Sequence, residues 1–80
     1  MSGKPHWIVG RHVVHESLDA PSRKVIQVLV FEGDRERHKE IVEKARRAGA
    51  RISFVAKGDI DRVADGAAHQ GLAAQVFEKK

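Results

Sequence analysis

The chain contains no cysteine. That excludes disulfides, thiolate zinc sites and cysteine nucleophiles together, and it fits a cytosolic protein. Aromatic residues are scarce: Trp7, Phe31, Phe54 and Phe77 are the only ones in 80 residues. All four fall in expected strands. The phenylalanines are therefore expected in the core, and a stacking platform for nucleic-acid bases is thinly supplied. Trp7, near the terminus, is the exception. No apolar run approaches the roughly 18 residues of a membrane span. The opening MSGKPHW lacks a hydrophobic signal segment. Internal repeats, low-complexity tracts and interdomain linkers are missing as well.

What is present is charge. Lys and Arg number 15 against 11 Asp and Glu, a formal net charge of +4, and the isoelectric point is near 9.9. A small basic domain suits polyanionic partners, nucleic acid above all; solubility is the plainer reason for the same charge. A chain of this length makes one domain and buries about 60% of its unfolded surface. It has no room for a catalytic domain beside a separate substrate domain.

The turn-forming residues Pro21-Ser22, Gly33-Asp34, Gly49, Gly58-Asp59 and Gly66 divide the chain into alternating pieces. Trp7-Ile8-Val9 reads as a short strand stopped by Gly10. Residues 11–19 follow as a helix, with Val13, Val14 and Leu18 as its apolar stripe and Pro21 beyond its end. Val25 to Phe31, VIQVLVF, is a nearly continuous apolar run, the mark of a strand covered on both faces. A helix is expected over 35–48, N-capped by Asp34, with Ile41, Val42, Ala45 and Ala48 on one face. Glu40–Lys44 and Glu43–Arg47 are favourable i,i+4 pairs, and Gly49 suits the left-handed position after the helix. Ile52 to Val55 is a further strand, 59–65 a short helix stopped by Gly66, and Leu72 to Phe77 the last strand. The βαβαβαβ pattern argues for an α/β sandwich around a mostly parallel sheet.

The densest chemistry lies in GRHVVHE, residues 10–16. It is not a zincin motif: His12 and His15 are three apart rather than four, and Glu16 follows both. Two imidazoles and a carboxylate on one helix face are conceivable metal ligands, but polar helix surface is the better reading of them. No nucleophile elbow, phosphate-binding loop or dinucleotide fingerprint occurs. The loop GAAHQG, residues 66–71, presents His69 and Gln70, which can hydrogen-bond bases or ribose hydroxyls. A helix stop followed by a polar turn accounts for it as well.

Three segments together resemble the N-terminal substrate-binding domain of SpoU-type RNA 2′-O-ribose methyltransferases, the branch that modifies 23S ribosomal RNA. IVGRHVVHESL is similar to that family's opening, with Gly10, Val14, Glu16 and Leu18 carrying the match. VLVFEGDRERHKEIVEKARRAGARISFV resembles its strand, charged helix and second strand. ADGAAHQGLAAQV resembles its His-Gln-Gly segment before the last strand. The likeness covers residues 8–77 and implies an L30e-like three-layer α/β/α sandwich with a small mixed, mostly parallel sheet.

It also implies that the domain captures RNA, 23S rRNA in that branch, for a separate catalytic domain. That second domain, absent from these residues, binds S-adenosylmethionine, forms the homodimer and transfers the methyl group. The domain itself is then a cytoplasmic monomer with no cofactor, no metal, no catalytic residue and no membrane contact. Residues 1–6 are expected as a tail, 7–77 as the RNA-binding domain and 78–80 as the start of a linker. Arg11 and His12 at the helix start, with His69 and Gln70, are the expected RNA contacts; Arg23, Lys24 and Lys57 add phosphate contacts. Glu16 is expected in a structural hydrogen bond or salt bridge. Whether the two loops share a surface is not decided by sequence. A stand-alone ribosomal-type RNA binder, a small hydrolase or metal protein using His12, His15 and Glu16, and a protein-interaction domain are the competing readings.

Overall fold

The computed structural model describes residues 4–78. Four strands and three helices alternate: β1 (His6–Val9), α1 (Arg11–Asp19), β2 (Arg23–Phe31), α2 (Lys39–Arg47), β3 (Arg51–Val55), α3 (Lys57–Ala64) and β4 (Leu72–Glu78). A short 3-10 turn (Glu32–Asp34) follows β2. His6 and Glu78 thus belong to strands, where tail and linker were expected; Met1–Gly3 and Lys79–Lys80 of those stretches lie outside the described residues.

The strand order is β1-β4-β2-β3. Only β2 and β3 pair parallel; β4 runs antiparallel to both β1 and β2. The sheet is mixed, and the expectation of a mostly parallel one is corrected. The cause lies in what an apolar run encodes. It reports burial on both faces, which β2 has at the sheet centre, and carries no information on strand direction.

A bulge at Ile26 sets which side chains face the core. Val25 pairs with Val76 and Gln27 with Gln75, so Ile26 is the extra residue. It places Val25 on the same face as Val28 and Val30 despite the odd spacing. These valines join Leu72, Ala74 and Val76 of β4, Val14 of α1, and Ile41, Val42 and Ala45 of α2 in one core. Helices α1 and α2 cover that face. Helix α3 packs on the other, over β1, β2 and β4, with Ile60 and Ala64 buried.

Three local expectations shift. Val13 is exposed; Val14 and Ser17 are the buried residues of α1, and Ser17 Oγ accepts a bond from Arg23 Nη1 at 2.9 Å. The long helix starts at Lys39, and no side chain caps it. Asp34 contributes its backbone C=O to the His38 N–H at 3.1 Å. Ala48 is exposed, and Gly49 follows with φ +86 as expected. Neither expected i,i+4 pair of α2 forms among the described residues. Lys44 reaches instead to Asp19 of α1, which ties the two helices of the core face together.

That bond has a pH consequence. Hydrogen bonding from Lys44, with its charge and that of His15, holds the Asp19 carboxyl below the usual carboxylate range. A carboxyl more acidic in the folded than in the unfolded chain stabilises the fold above about pH 4, and the gain is lost as pH falls through the folded value. Asp19→Asn is therefore expected to lower Tm at about pH 7 but to match the parent near pH 2, in thermal melts followed by circular dichroism.

Candidate functional site

Strand pairing decides what the sequence left open. Val9 lies opposite Ala73 in the antiparallel β1–β4 pair, so the residues just after β1 meet those just before β4. Gly10 N–H donates to the Leu72 carbonyl at 3.0 Å. The two segments that carry the resemblance, GRH and HQG, are thereby neighbours at one end of the sheet.

They are also bonded to each other. The Arg11 backbone N–H, a free donor of the first turn of α1, donates to Gln70 Oε1 at 3.2 Å. No side chain from Gly10 caps the helix, so Gln70 supplies from a distant loop the acceptor that a cap residue normally provides. The Arg11 guanidinium donates to the Arg37 carbonyl at 3.0 Å, and His38 Nε2 donates to the Gln70 carbonyl at 2.9 Å. The segment before α2 is therefore drawn onto the same clasp. The late start of α2 goes with these bonds: the Arg37 carbonyl and the His38 ring, inside the stretch expected to be helical, are engaged across the site.

His69 works from behind. It is 8% exposed. Its Nδ1 accepts the Gly71 N–H at 2.9 Å, which leaves the ring proton on Nε2, and Nε2 donates to Asp61 of α3. Both nitrogens are occupied, so this imidazole shapes the loop rather than offering itself to a ligand. Gln70 and Gly71 both lie in the left-handed region, at φ +54 and +76. For a non-glycine residue this conformation costs on the order of 1 kcal/mol or more, held here by the bonds to Gln70 just described.

Beside the clasp lies a cleft of about 580 Å³, bordered by Phe31, Asp34, Arg37, Lys57, Asp61 and the 66–71 loop. Its volume is within the roughly 300–1,000 Å³ of ligand sites. Its lining combines two cations, two carboxylates and one aromatic residue. Phe31 is half-buried rather than sealed in the core, and Phe54 is half-buried with the Arg35 guanidinium 4.2 Å from its ring centre.

The structure gathers Arg11, His69, Gln70 and Lys57 around this end of the molecule. His12 is on the exposed side of the first turn of α1, with Nε2 3.1 Å from Glu16 Oε2; Glu16 thus meets a neighbour one turn away on its own helix, at the surface. His15 pairs with Asp19 at 3.7 Å, so the histidines of GRHVVHE do not converge. Among the described residues no three His, Asp or Glu side chains gather as metal ligands. Arg23 and Lys24 are at the opposite end of β2, in a separate hollow with Ser17 and Phe77. Arg23 is held there by Glu78 Oε1 at 2.9 Å. Sequence reasoning missed Asp34, Arg37, His38 and Asp61. For His38 a signal existed: it precedes Ile41, Val42 and Ala45 by three, four and seven residues, the spacing of one helix face, and it is fully buried. For Asp61 there was none.

Comparison with known proteins bears on the family and the fold. The family model for RNA 2′-O ribose methyltransferase substrate binding matches residues 7–80. The chain is 38% identical over 76 residues to the 23S rRNA (guanosine-2′-O-)-methyltransferase RlmB of Xylella fastidiosa strain 9a5c, covering 94% of this chain and 30% of that protein. It is 33% identical over 74 residues to RlmB of Pasteurella multocida, covering 91% of this chain and 30% of that protein. An AdoMet-bound rRNA methyltransferase from Sinorhizobium meliloti shares the fold with a TM-score of 0.72 at 16% identity, over 95% of this chain and 26% of that chain. The chain thus spans about 30% of the length of the curated relatives it matches. With the family model extending over nearly every residue, the chain belongs to the family of RNA 2′-O-ribose methyltransferase substrate-binding domains.

Proposed function

We propose that the chain captures ribosomal RNA, 23S rRNA in the first instance, and presents it to a catalytic domain that transfers a methyl group from S-adenosylmethionine to a ribose 2′-hydroxyl. The cofactor and the dimer contacts belong in this reading to the part of the relatives that this chain does not span, and the setting is the bacterial cytoplasm. The observation that carries it is the clasp of Arg11 on Gln70. It welds both family segments into one basic rim above a ligand-sized cleft. Arg11, His12, Arg37 and Lys57 contact phosphates, Gln70 meets an unpaired base or ribose edge, and His69 and Asp61 hold the loop in place. Phosphate contacts of this kind position RNA, and edge contacts select it.

Titration of a labelled 23S rRNA hairpin, followed by fluorescence anisotropy at several salt concentrations, tests the reading. Affinity should fall linearly with salt on logarithmic axes. Lys57→Ala should weaken binding and reduce that slope by about 1. Lys24→Ala, at the far end of β2, should change affinity by less than about twofold, since additive contacts there are outside the cleft. Salt-independent binding, or equal losses from Lys24→Ala and Lys57→Ala, would overturn the assignment of the surface.

A further inference from the structure

We infer that the cleft seats one unpaired guanine of the bound RNA, with the Asp34 carboxylate reading its Watson–Crick edge. This rests on the RNA-binding reading above and deepens it.

The argument starts from a carboxylate without a task. Asp34 is half-buried and caps no helix. Among the described residues its carboxylate makes no ion pair or hydrogen bond, whereas Asp61 on the same cleft is committed to His69. A partly desolvated carboxylate is unfavourable until donors reach it, and it can only accept. It lies against the 66–71 loop: a Cβ on Gly71 would be 2.6 Å from Asp34 Oδ2. The missing side chain at Gly71 is what leaves the carboxylate room at the cleft wall.

Among the four RNA bases, guanine alone carries two adjacent N–H donors on its Watson–Crick edge, N1–H and the 2-amino group. They match the two oxygens of a carboxylate. Adenine and cytosine set a ring lone pair beside a single amino donor, and uracil flanks one donor with two carbonyls. Each would oppose a carboxylate oxygen with another lone pair. The base must be unpaired, because pairing uses that edge. The Phe31 ring borders the cleft and backs onto Gly33, where a Cβ would meet it at 2.8 Å. A ring so supported is a platform for stacking, which is tolerant of base identity. Selectivity then falls to Asp34, while Arg37 and Lys57 at the rim balance the charge and meet the flanking phosphates.

The test is an anisotropy titration with labelled uridine octamers bearing one central guanosine, inosine or adenosine. Inosine retains N1–H and lacks the 2-amino group. Guanosine should bind best, inosine next and adenosine weakest, with guanosine and adenosine separated by about tenfold or more. Asp34→Asn, of the same size, should bring the guanosine and adenosine octamers to within about twofold while the salt dependence persists. GMP should displace the guanosine octamer and AMP should not. Equal affinity for the three octamers, or a guanosine preference that survives Asp34→Asn, overturns the inference and leaves RNA binding standing. Absence of any salt-dependent binding to octamers and hairpin alike brings down both. GMP binding as tightly as the octamer would assign the cleft to free nucleotides and remove the RNA from the proposal.

Discussion

Gly71→Ala is expected to destabilise the domain by about 1–3 kcal/mol, a Tm decrease on the order of 5–20 °C for a chain of this size. Two costs combine. Gly71 has φ +76, and an L side chain in that region loses roughly 1–2 kcal/mol. The added methyl would also lie 2.6 Å from Asp34 Oδ2 and 3.3 Å from Phe31 Cβ. The carboxylate oxygen ends an unbonded side chain and can turn aside, whereas Phe31 Cβ must give by a few tenths of an ångström, so the overlap adds about 1 kcal/mol. The backbone has little freedom to move away, because Gly71 N–H is bound to His69 and its carbonyl accepts the Phe31 N–H at 2.9 Å. Gly66 is the matched control: its φ is +88, but a Cβ there meets nothing within 4 Å. Gly66→Ala should show the backbone cost alone. In urea denaturation, Asp34→Ala should recover part of the Gly71→Ala loss and none of the Gly66→Ala loss. Equal losses for the two glycines would show that the close approach of the loop to Asp34 is not what Gly71 provides.

Ile60→Ala is expected to cost about 2–5 kcal/mol out of a total stability of roughly 4–12 kcal/mol for 80 residues. Ile60 is fully buried, as Ile41 is, yet the two losses should differ in kind. Ile41 belongs to the core that α1, α2 and the sheet share. Helix α3 covers the opposite face alone, and Ala64 is its only other buried residue. Truncating Ile60 should therefore let α3 open without the rest, as a low-stability unit. Amide exchange in α3 should quicken well beyond that of β2, which the other face still holds. Because α3 carries Lys57 and Asp61, RNA affinity should fall even where the fold persists. Uniform acceleration across α3 and β2 would mean that the two faces unfold as one.

Both predictions come from the same property of the fold. The cleft is walled by α3 on one side and by the 31–34 and 66–71 segments on another. A few residues hold these walls: Ile60 and Ala64 under the helix, His69 between Asp61 and Gly71, and Gln70 between Arg11 and His38. The resemblance implies RNA contacts at both His69 and Gln70, and the structure gives the two side chains different surroundings. Gln70 is exposed at the rim; His69 is behind it with both nitrogens used.

Local rules were enough for the elements. Short apolar runs between turn residues, helical spacing at Ile41, Val42 and Ala45, and a glycine after Arg47 and Ala48 place every strand and helix within a few residues. Charge and the three quoted segments point to the family. Burial is less local: Val13 and Val14 are equally apolar, and only the docking of α1 chooses between them. Strand direction, the bulge at Ile26, the ion pair from Lys44 to Asp19 and the late start of α2 all depend on partners distant in sequence. So does the site. Arg11 and Gln70 are 59 residues apart, and antiparallel pairing of β1 with β4 makes them neighbours. A sequence specifies such a meeting only through the energy of the whole packed sheet, because no short-range preference distinguishes the register that joins them from one that does not.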